Sequence, residues 1–288
     1  MESVSSLLAL VDTSDYVSLI LSLPHMSPLS ALTLFFLTLM RIAPIVALAP
    51  FLGSKLPGGV KMGLALALTA IFLPFVIGNA QVPLPTFNIF FIGYAIKEFF
   101  IGFILAFLIN IPFYIAQSAG VLIDFQRGSS ALQVFDPLMQ TQVSPIGQLY
   151  NYTFIVLFYE VGGIFIFLQG IMNSYAALPA DVFMPALFFH IQHGFWKFII
   201  VLLTKFTAIS IQLAAPSLVA ILMTDMFLGI ANRLAQQVQI AFLGMSLKSL
   251  VGLALLWAGW YFILKQLTYQ SQLWLESIDR ILRTIPTA

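Results

Sequence analysis

The residues best placed to do chemistry in this sequence are charged side chains set inside long apolar runs. Arg41, Lys97, Glu98 and Glu160 fall within or near such runs, as do Lys197, Lys205 and Lys248. A charge at the centre of a bilayer costs at least about 2.5–3.5 kcal/mol, so each must be offset by a partner, by water or by a pathway that needs it. Charges near the end of a span can snorkel to the interface, and Lys197, Lys205 and Lys248 read as interfacial or paired rather than as part of a pathway. Arg41 and Glu160 stand open between a structural pair and a functional site. Lys97 and Glu98 are neighbours, so on a helix they point about 100° apart and are expected to seek different partners rather than each other.

His190 and His193 have i, i+3 spacing and could share a helix face. A metal site would need more ligands than the nearby Asp181 supplies, and the chain has no cysteine. A wet interface is the preferred reading. H-E-x-x-H, G-x-S-x-G and the phosphate-loop lysine motif are absent, so neither an enzyme nor a cofactor is expected.

A second group of polar residues is concentrated in one place. Ser118 to Gly147 reads SAGVLIDFQRGSSALQVFDPLMQTQVSPIG. It carries Asp124, Arg127 and Asp136, four glutamines, two prolines and three glycines between two apolar blocks. Backbone outside a helix is tolerated at membrane depth only where it is buried in protein or lines a wet cavity. Asp136-Pro137 is a turn former. Gln133, Gln140 and Gln142 could line a wet passage without trapping charge. On these residues alone, an ordinary extramembrane loop and a gate are both open.

The elements that must position these groups are membrane helices. Of 288 residues, 60% are hydrophobic and only 8% charged, against about 25% charged in a soluble domain. The runs are long and apolar on all faces, which implies an all-α polytopic protein rather than a barrel of alternating strands of about ten residues. Phe occurs 28 times, which suggests aromatic packing inside a bundle. Net charge is +1, leaving no footprint for nucleic acid. The N-terminus carries Glu2, Asp12 and Asp15 and lacks the basic start of a secretory signal.

Along the chain, Pro28 to Pro50 is the first span, with Pro44 expected to kink or end it. Phe51 to Lys61 is a basic turn, cytoplasmic by the positive-inside rule, and Gly59-x-x-x-Gly63 is a weak packing motif beginning in that turn. Met62 to Ile77 is the second span. Phe87 to Ala116 is too long for one simple span of roughly 20 residues, and Pro112 is expected to break it. Gln148 to Met172 is the fourth span with Glu160 in its middle, and Asn173 to Pro185 is a turn. Ala186 to Met223 is again too long for one span. Thr224 to Gln239 is polar, Ile240 to Leu264 is the last span, and an amphipathic tail follows from Lys265. Six alternating spans put the Lys55/Lys61 loop inside and the basic tail outside. That conflict favours broken helices and hairpins over six straight rods.

Four segments, in order, carry a resemblance. Phe51–Thr69 reads FLGSKLPGGVKMGLALALT. Ala119–Pro137, AGVLIDFQRGSSALQVFDP, is similar to A-G-x-x-x-D-x-Q-x-G…D-P. Gln142–Gly147, QVSPIG, is close to Q-T-S-P-L-G, with Val143 and Ile146 departing from it. Ala214–Gly244 resembles a P-x-x-x-x-x-L-x-x-x-x-x-L-G-x-x-N-R-x-A-P-Q block, with Gln236 in place of the usual proline. Together they make the chain resemble, across nearly its whole length, the FliR/SctT family, the T component of the bacterial type III export gate. The QVSPIG variant leans towards the injectisome branch rather than the flagellar one.

The resemblance implies an integral protein of the bacterial inner membrane, in contact with lipid and built into a hetero-oligomer with P/R-type and Q/S-type gate subunits and other export-apparatus membrane subunits. The gate's substrates are exported unfolded proteins. Residues 1–205 would form a P-like part, 206–264 a Q-like hairpin and 265–288 the tail. The hairpin turn would involve Asn232, Arg233, Gln236 and Gln237. A plug loop at about 127–143 would seal the pore. Its plug or pore-facing candidates are Arg127, Gly128, Ser129, Ser130, Leu132, Gln133, Phe135, Asp136, Pro137, Gln140 and Gln142, with Leu132 and Phe135 as an apolar seal. The rival reading is a small-molecule secondary transporter using Arg41 and Glu160.

Overall fold

A computed structural model of the 288-residue chain describes residues 28–53, 56–80, 89–128, 144–183, 194–234 and 240–284. Among the described residues there is no strand. The helices are α1 (Pro28–Leu48), α2 (Gly58–Asn79), α3 (Ile89–Gln126), α4 (Pro145–Glu160), α5 (Gly163–Ala177), α6 (Gly194–Leu234), α7 (Ile240–Ala258) and α8 (Trp260–Thr284). Four of them, α1, α2, α3 and α6, contain stretches long and apolar enough to cross a membrane. Two further candidates are bent pairs: α4 with α5 at 77°, and α7 with α8 at 64°. Broken helices therefore replace several of the straight spans. The chain is an integral membrane protein, and rows of Phe, Leu and Ile remain exposed along α3 and α6, suited to lipid or to other apolar helices.

Two of the expected breaks are bridged. Proline removes one amide donor and clashes with the preceding turn, at roughly 3 kcal/mol in a helix interior. Yet α3 runs 38 residues through Pro112 and α6 runs 41 residues through Pro216. Pro44 likewise sits inside α1 rather than ending it. Apolar burial on both sides outweighs the single lost bond: Ile111, Phe113, Ile115 and Ala116 around Pro112 are all buried. At 1.5 Å per residue α3 is about 57 Å long, well beyond a hydrocarbon core of about 30 Å.

Other boundaries also move. α2 starts at Gly58, inside what the sequence reads as a turn. Gly59 and Gly63 both lie in that helix, and an added Cβ at either would meet nothing within 4 Å. The motif packs against nothing described in this chain. The fourth expected span is broken at Val161–Gly162. Gly162 adopts φ 76°, a conformation open to glycine and costly for other residues. Glu160 is thus the last residue of α4, exposed at the bend within the α4–α5 pair. Asn173 continues α5, which ends only at Ala177. The last span stops at Ala258, and the tail helix begins at Trp260 rather than Lys265.

The chain divides into two compact units. The first contains Met1–Asn110, Ile166–Phe195 and Ile278–Ala288. Its core joins Leu34, Leu37, Ile42 and Ile45 of α1, Phe72 and Val76 of α2, Ile101 and Leu105 of α3, and Ile171 and Tyr175 of α5. The second contains Ile111–Phe165 and Trp196–Ser277. Its core includes Phe113, which meets Phe154 edge-on at 4.9 Å and Phe158 at 5.4 Å. Edge-to-face aromatic pairs of this kind contribute about 0.5–1.5 kcal/mol beyond area burial. In the same unit α6 and α7 pair antiparallel: Gly244 faces Leu228, Lys248 pairs with Asp225, and Gly252 faces Ile221.

Candidate functional site

Two polar clusters stand out, one in each unit. In the first unit α1 and α3 cross where Gly102 leaves no side chain. A Cβ there would lie 2.7 Å from the Pro44 ring and would also strike the Arg41 carbonyl. Glu98 is one helical turn before Gly102, so the same face of α3 presents it to Arg41. Arg41 Nε donates to Glu98 Oε2 at 2.5 Å and Nη2 donates to Oε1 at 2.9 Å. Such a bidentate fork is among the stronger ion pairs a protein forms. Arg41 also donates to Ser174 Oγ at 3.1 Å and to the Leu178 carbonyl at 2.8 Å, and its guanidinium lies 3.9 Å from the centroid of the Tyr175 ring.

Lys97 joins the same cluster. Its ammonium lies 2.8 Å from Glu98 Oε1 and donates to the carbonyls of Pro179, Ala180 and Val182 at 2.9, 3.2 and 2.8 Å. This corrects the expectation that Lys97 and Glu98 avoid each other. Their Cβ atoms do diverge, but four methylenes let the ammonium swing back over Glu98. Lys97 and Arg41 together satisfy four carbonyls of the non-helical stretch Leu178–Val182. Irregular backbone in a membrane protein needs donors of this kind when water is excluded. Asp181 is buried in the same unit. The arrangement holds structure together and leaves Arg41 little capacity for a substrate.

The second cluster lies at the foot of the polar stretch. Its first part, Ser118–Gln126, continues α3 and is not a loop. Asp124, buried at 2% exposure, accepts on Oδ1 from Arg127 Nη2 at 2.5 Å. On Oδ2 it accepts from Ser144 Oγ at 2.5 Å and from the Ile146 amide at 2.9 Å. Ser144 is the N-cap of α4: its Oγ also accepts from the Gly147 amide at 2.9 Å, and Pro145 follows at the first helical position. Ser-Pro is a helix-start signal, because the hydroxyl satisfies an orphan amide and proline has none to satisfy. Asp124 supplies a negative charge at the same helix N-terminus.

Gly120 explains how α3 and α4 come so close. A Cβ on Gly120 would fall 2.5 Å from the Gly147 backbone. Arg127 carries the cluster further, with Nη1 3.4 Å from Ser249 Oγ and its methylenes against Gly252 of α7. Gly120 and Asp124 of the pattern A-G-x-x-x-D-x-Q-x-G and Ser144, Pro145 and Gly147 of S-P-I-G therefore form one junction.

Of the singled-out residues, Arg41, Lys97 and Glu98 come together. Glu160 is exposed at its bend. Arg127 and Gly128 end the described part of the stretch, Gly128 at φ 88°. Ser129, Ser130, Leu132, Gln133, Phe135, Asp136, Pro137, Gln140 and Gln142 lie outside the described residues, as do His190 and His193. Asn232 and Arg233 occupy the last turn of α6, exposed, while Gln236 and Gln237 lie outside the described residues. Lys197 and Lys205 are exposed, and Lys248 pairs with Asp225. No group of three or more metal-ligating side chains occurs among the described residues. Sequence reasoning missed Asp124 as a centre of contacts, and it missed Ser174, Tyr175, Asp225 and Ser249. Only Asp124 had a usable signal, the Ser-Pro cap placed downstream of it.

A family model described as bacterial export proteins, family 1, matches residues 32–273. The Yop proteins translocation protein T of Yersinia pestis is 28% identical over 253 residues, covering 87% of this chain and 93% of that protein. The surface presentation of antigens protein SpaR of Shigella flexneri is 26% identical over 218 residues, covering 74% and 79%. The flagellar biosynthetic protein FliR of Escherichia coli K12 is 26% identical over 240 residues, covering 79% and 84%.

Proposed function

Because this chain belongs to the bacterial export proteins, family 1, we propose that it is the T-type subunit of a type III secretion export gate. It works with other membrane subunits of the export apparatus to form and seal the channel through which unfolded proteins cross the bacterial inner membrane. The observation that carries this reading is the family match over residues 32–273, which spans all the segments from Phe51 to Gly244 that bear the resemblance. Relatives at 25–28% identity include translocation proteins and flagellar proteins. The SPIG form of the α4 start favours the injectisome branch.

The finer assignment rests on the resemblance of the four sequence segments. P/R-type and Q/S-type subunits are its neighbours. Residues 1–205 form the P-like part, 206–264 the Q-like hairpin and 265–288 the tail. The antiparallel pairing of α6 and α7 supports a hairpin there. Residues at about 127–143 serve as the plug, with Leu132 and Phe135 as its apolar seal and Asn232, Arg233, Gln236 and Gln237 at the hairpin turn. The junction at Asp124 supports a loop leaving and re-entering at one place. The subunit shapes a path and carries out no reaction. A small-molecule transporter would need its embedded charges free for substrate, and Arg41 spends its donors on Glu98, Ser174 and Leu178.

Deleting Ser129–Gln142 tests the plug. The complex is expected to assemble and to leak small solutes, and a tight complex would count against it.

A further inference from the structure

One carboxylate holds both sides of the segment 129–143. Arg127 precedes that segment, whereas Ser144 and Ile146 follow it, and all three donate to Asp124. Bonds to a buried carboxylate are charge-assisted and do not compete with water. One turn earlier, the backbone contact of Gly120 with Gly147 fixes the same two elements a second time. Arg127 connects the cluster outward to Ser249 and Gly252 on α7.

Parting the two sides would break the two hydrogen bonds from Ser144 and Ile146 and the glycine contact together, and Asp124 would keep only donors on its own side, such as Arg127. We propose that Asp124 is the positioning residue of the seal. It pins the two sides of the segment to each other and, through Arg127, to α7, and they stay pinned while protein passes. This rests on the reading that the segment seals the channel. Arg127 is then a strut of the base.

The chain has no cysteine, so a D124C/S144C pair introduces the only two thiols of this subunit. Ser144 Oγ and Asp124 Oδ2 are 2.5 Å apart, which puts the pair within reach of a short bifunctional thiol reagent. The measurement is solute leak per assembled complex, together with secretion of exported protein, in cells carrying the whole apparatus. With free thiols, the leak is expected to rise towards that of the Ser129–Gln142 deletion. Cross-linking is expected to restore the barrier while secretion continues. A role in folding alone would lower the amount of complex instead, and cross-linking would not repair it. Should the pair reduce assembly, Ser144→Ala and Arg127→Gln each remove one strut, and each is expected to leak partially. The proposal is overturned if the free-thiol pair or both single variants are as tight as wild type while the deletion leaks. It is also overturned if cross-linking stops secretion, because the base must then open. If the deletion itself is tight, the plug reading fails first, whatever the cysteine pair does.

Discussion

At the scale of single residues, the two embedded acids have opposite fates. Glu98 is buried between two cations. Removing one member of a buried ion pair strands the rest at about 3–5 kcal/mol. Glu98→Gln is therefore expected to lower the thermal midpoint of the purified complex strongly. Glu160 is exposed and has no partner among the described residues, so Glu160→Gln should stay within about ±0.5 kcal/mol. Comparable shifts in a detergent melting experiment would contradict the geometry. Both acids look alike in the sequence, each set within an apolar run. The difference lies in Gly102, whose missing side chain lets α1 sit beside Glu98, and a crossing point is not encoded by local composition. The Lys97–Glu98 contact was hidden for a related reason. Helical geometry fixes Cβ directions, while a lysine ammonium can reach round to whatever the neighbouring elements place there.

Among the elements, the helical character of nearly every described segment was legible, because apolar runs this long admit little else. Their ends were not. Pro44 was expected to kink or end its helix and Pro112 to break its own, and both sit inside α1 and α3. The actual bend at Gly162 depends on one positive φ angle. Gly162→Ala should cost about 1–2 kcal/mol at that left-handed position, seen as a lower melting temperature of the complex. An unchanged one would mean that the bend does not need glycine. The α6–α7 hairpin was expected from resemblance, but its register was not visible until Lys248 met Asp225. Asp225→Lys and Lys248→Asp are each expected to reduce the amount of assembled complex on a native gel, and the double reversal to recover part of it. Failure of the double variant to improve on either single one would argue against this register. The polar stretch from Ser118 was half legible. Its Ser-Pro helix start could be read locally, whereas the partnership of Asp124 with that start crosses 20 residues of sequence and needs two helices in contact.

For the whole molecule, the charge deficit and apolar runs were enough to place the chain in a membrane, and the order of four motifs, each of moderate specificity, pointed to its family. The division into two compact units was not readable, since the boundary at Asn110–Ile111 falls inside the uninterrupted α3. The 38-residue α3, about 57 Å long, and the two bent pairs stand in place of six equal spans. Apolar side chains exposed along α3 and α6 fit a subunit that is covered by other membrane helices as well as by lipid. The most direct test of the central claim is purification of the tagged chain from its native membrane in mild detergent, followed by mass determination and identification of what accompanies it. The account predicts a large hetero-oligomer containing other export-apparatus membrane subunits. A stable monomer or homodimer, without those subunits and stabilised by a small-molecule ligand, would contradict it.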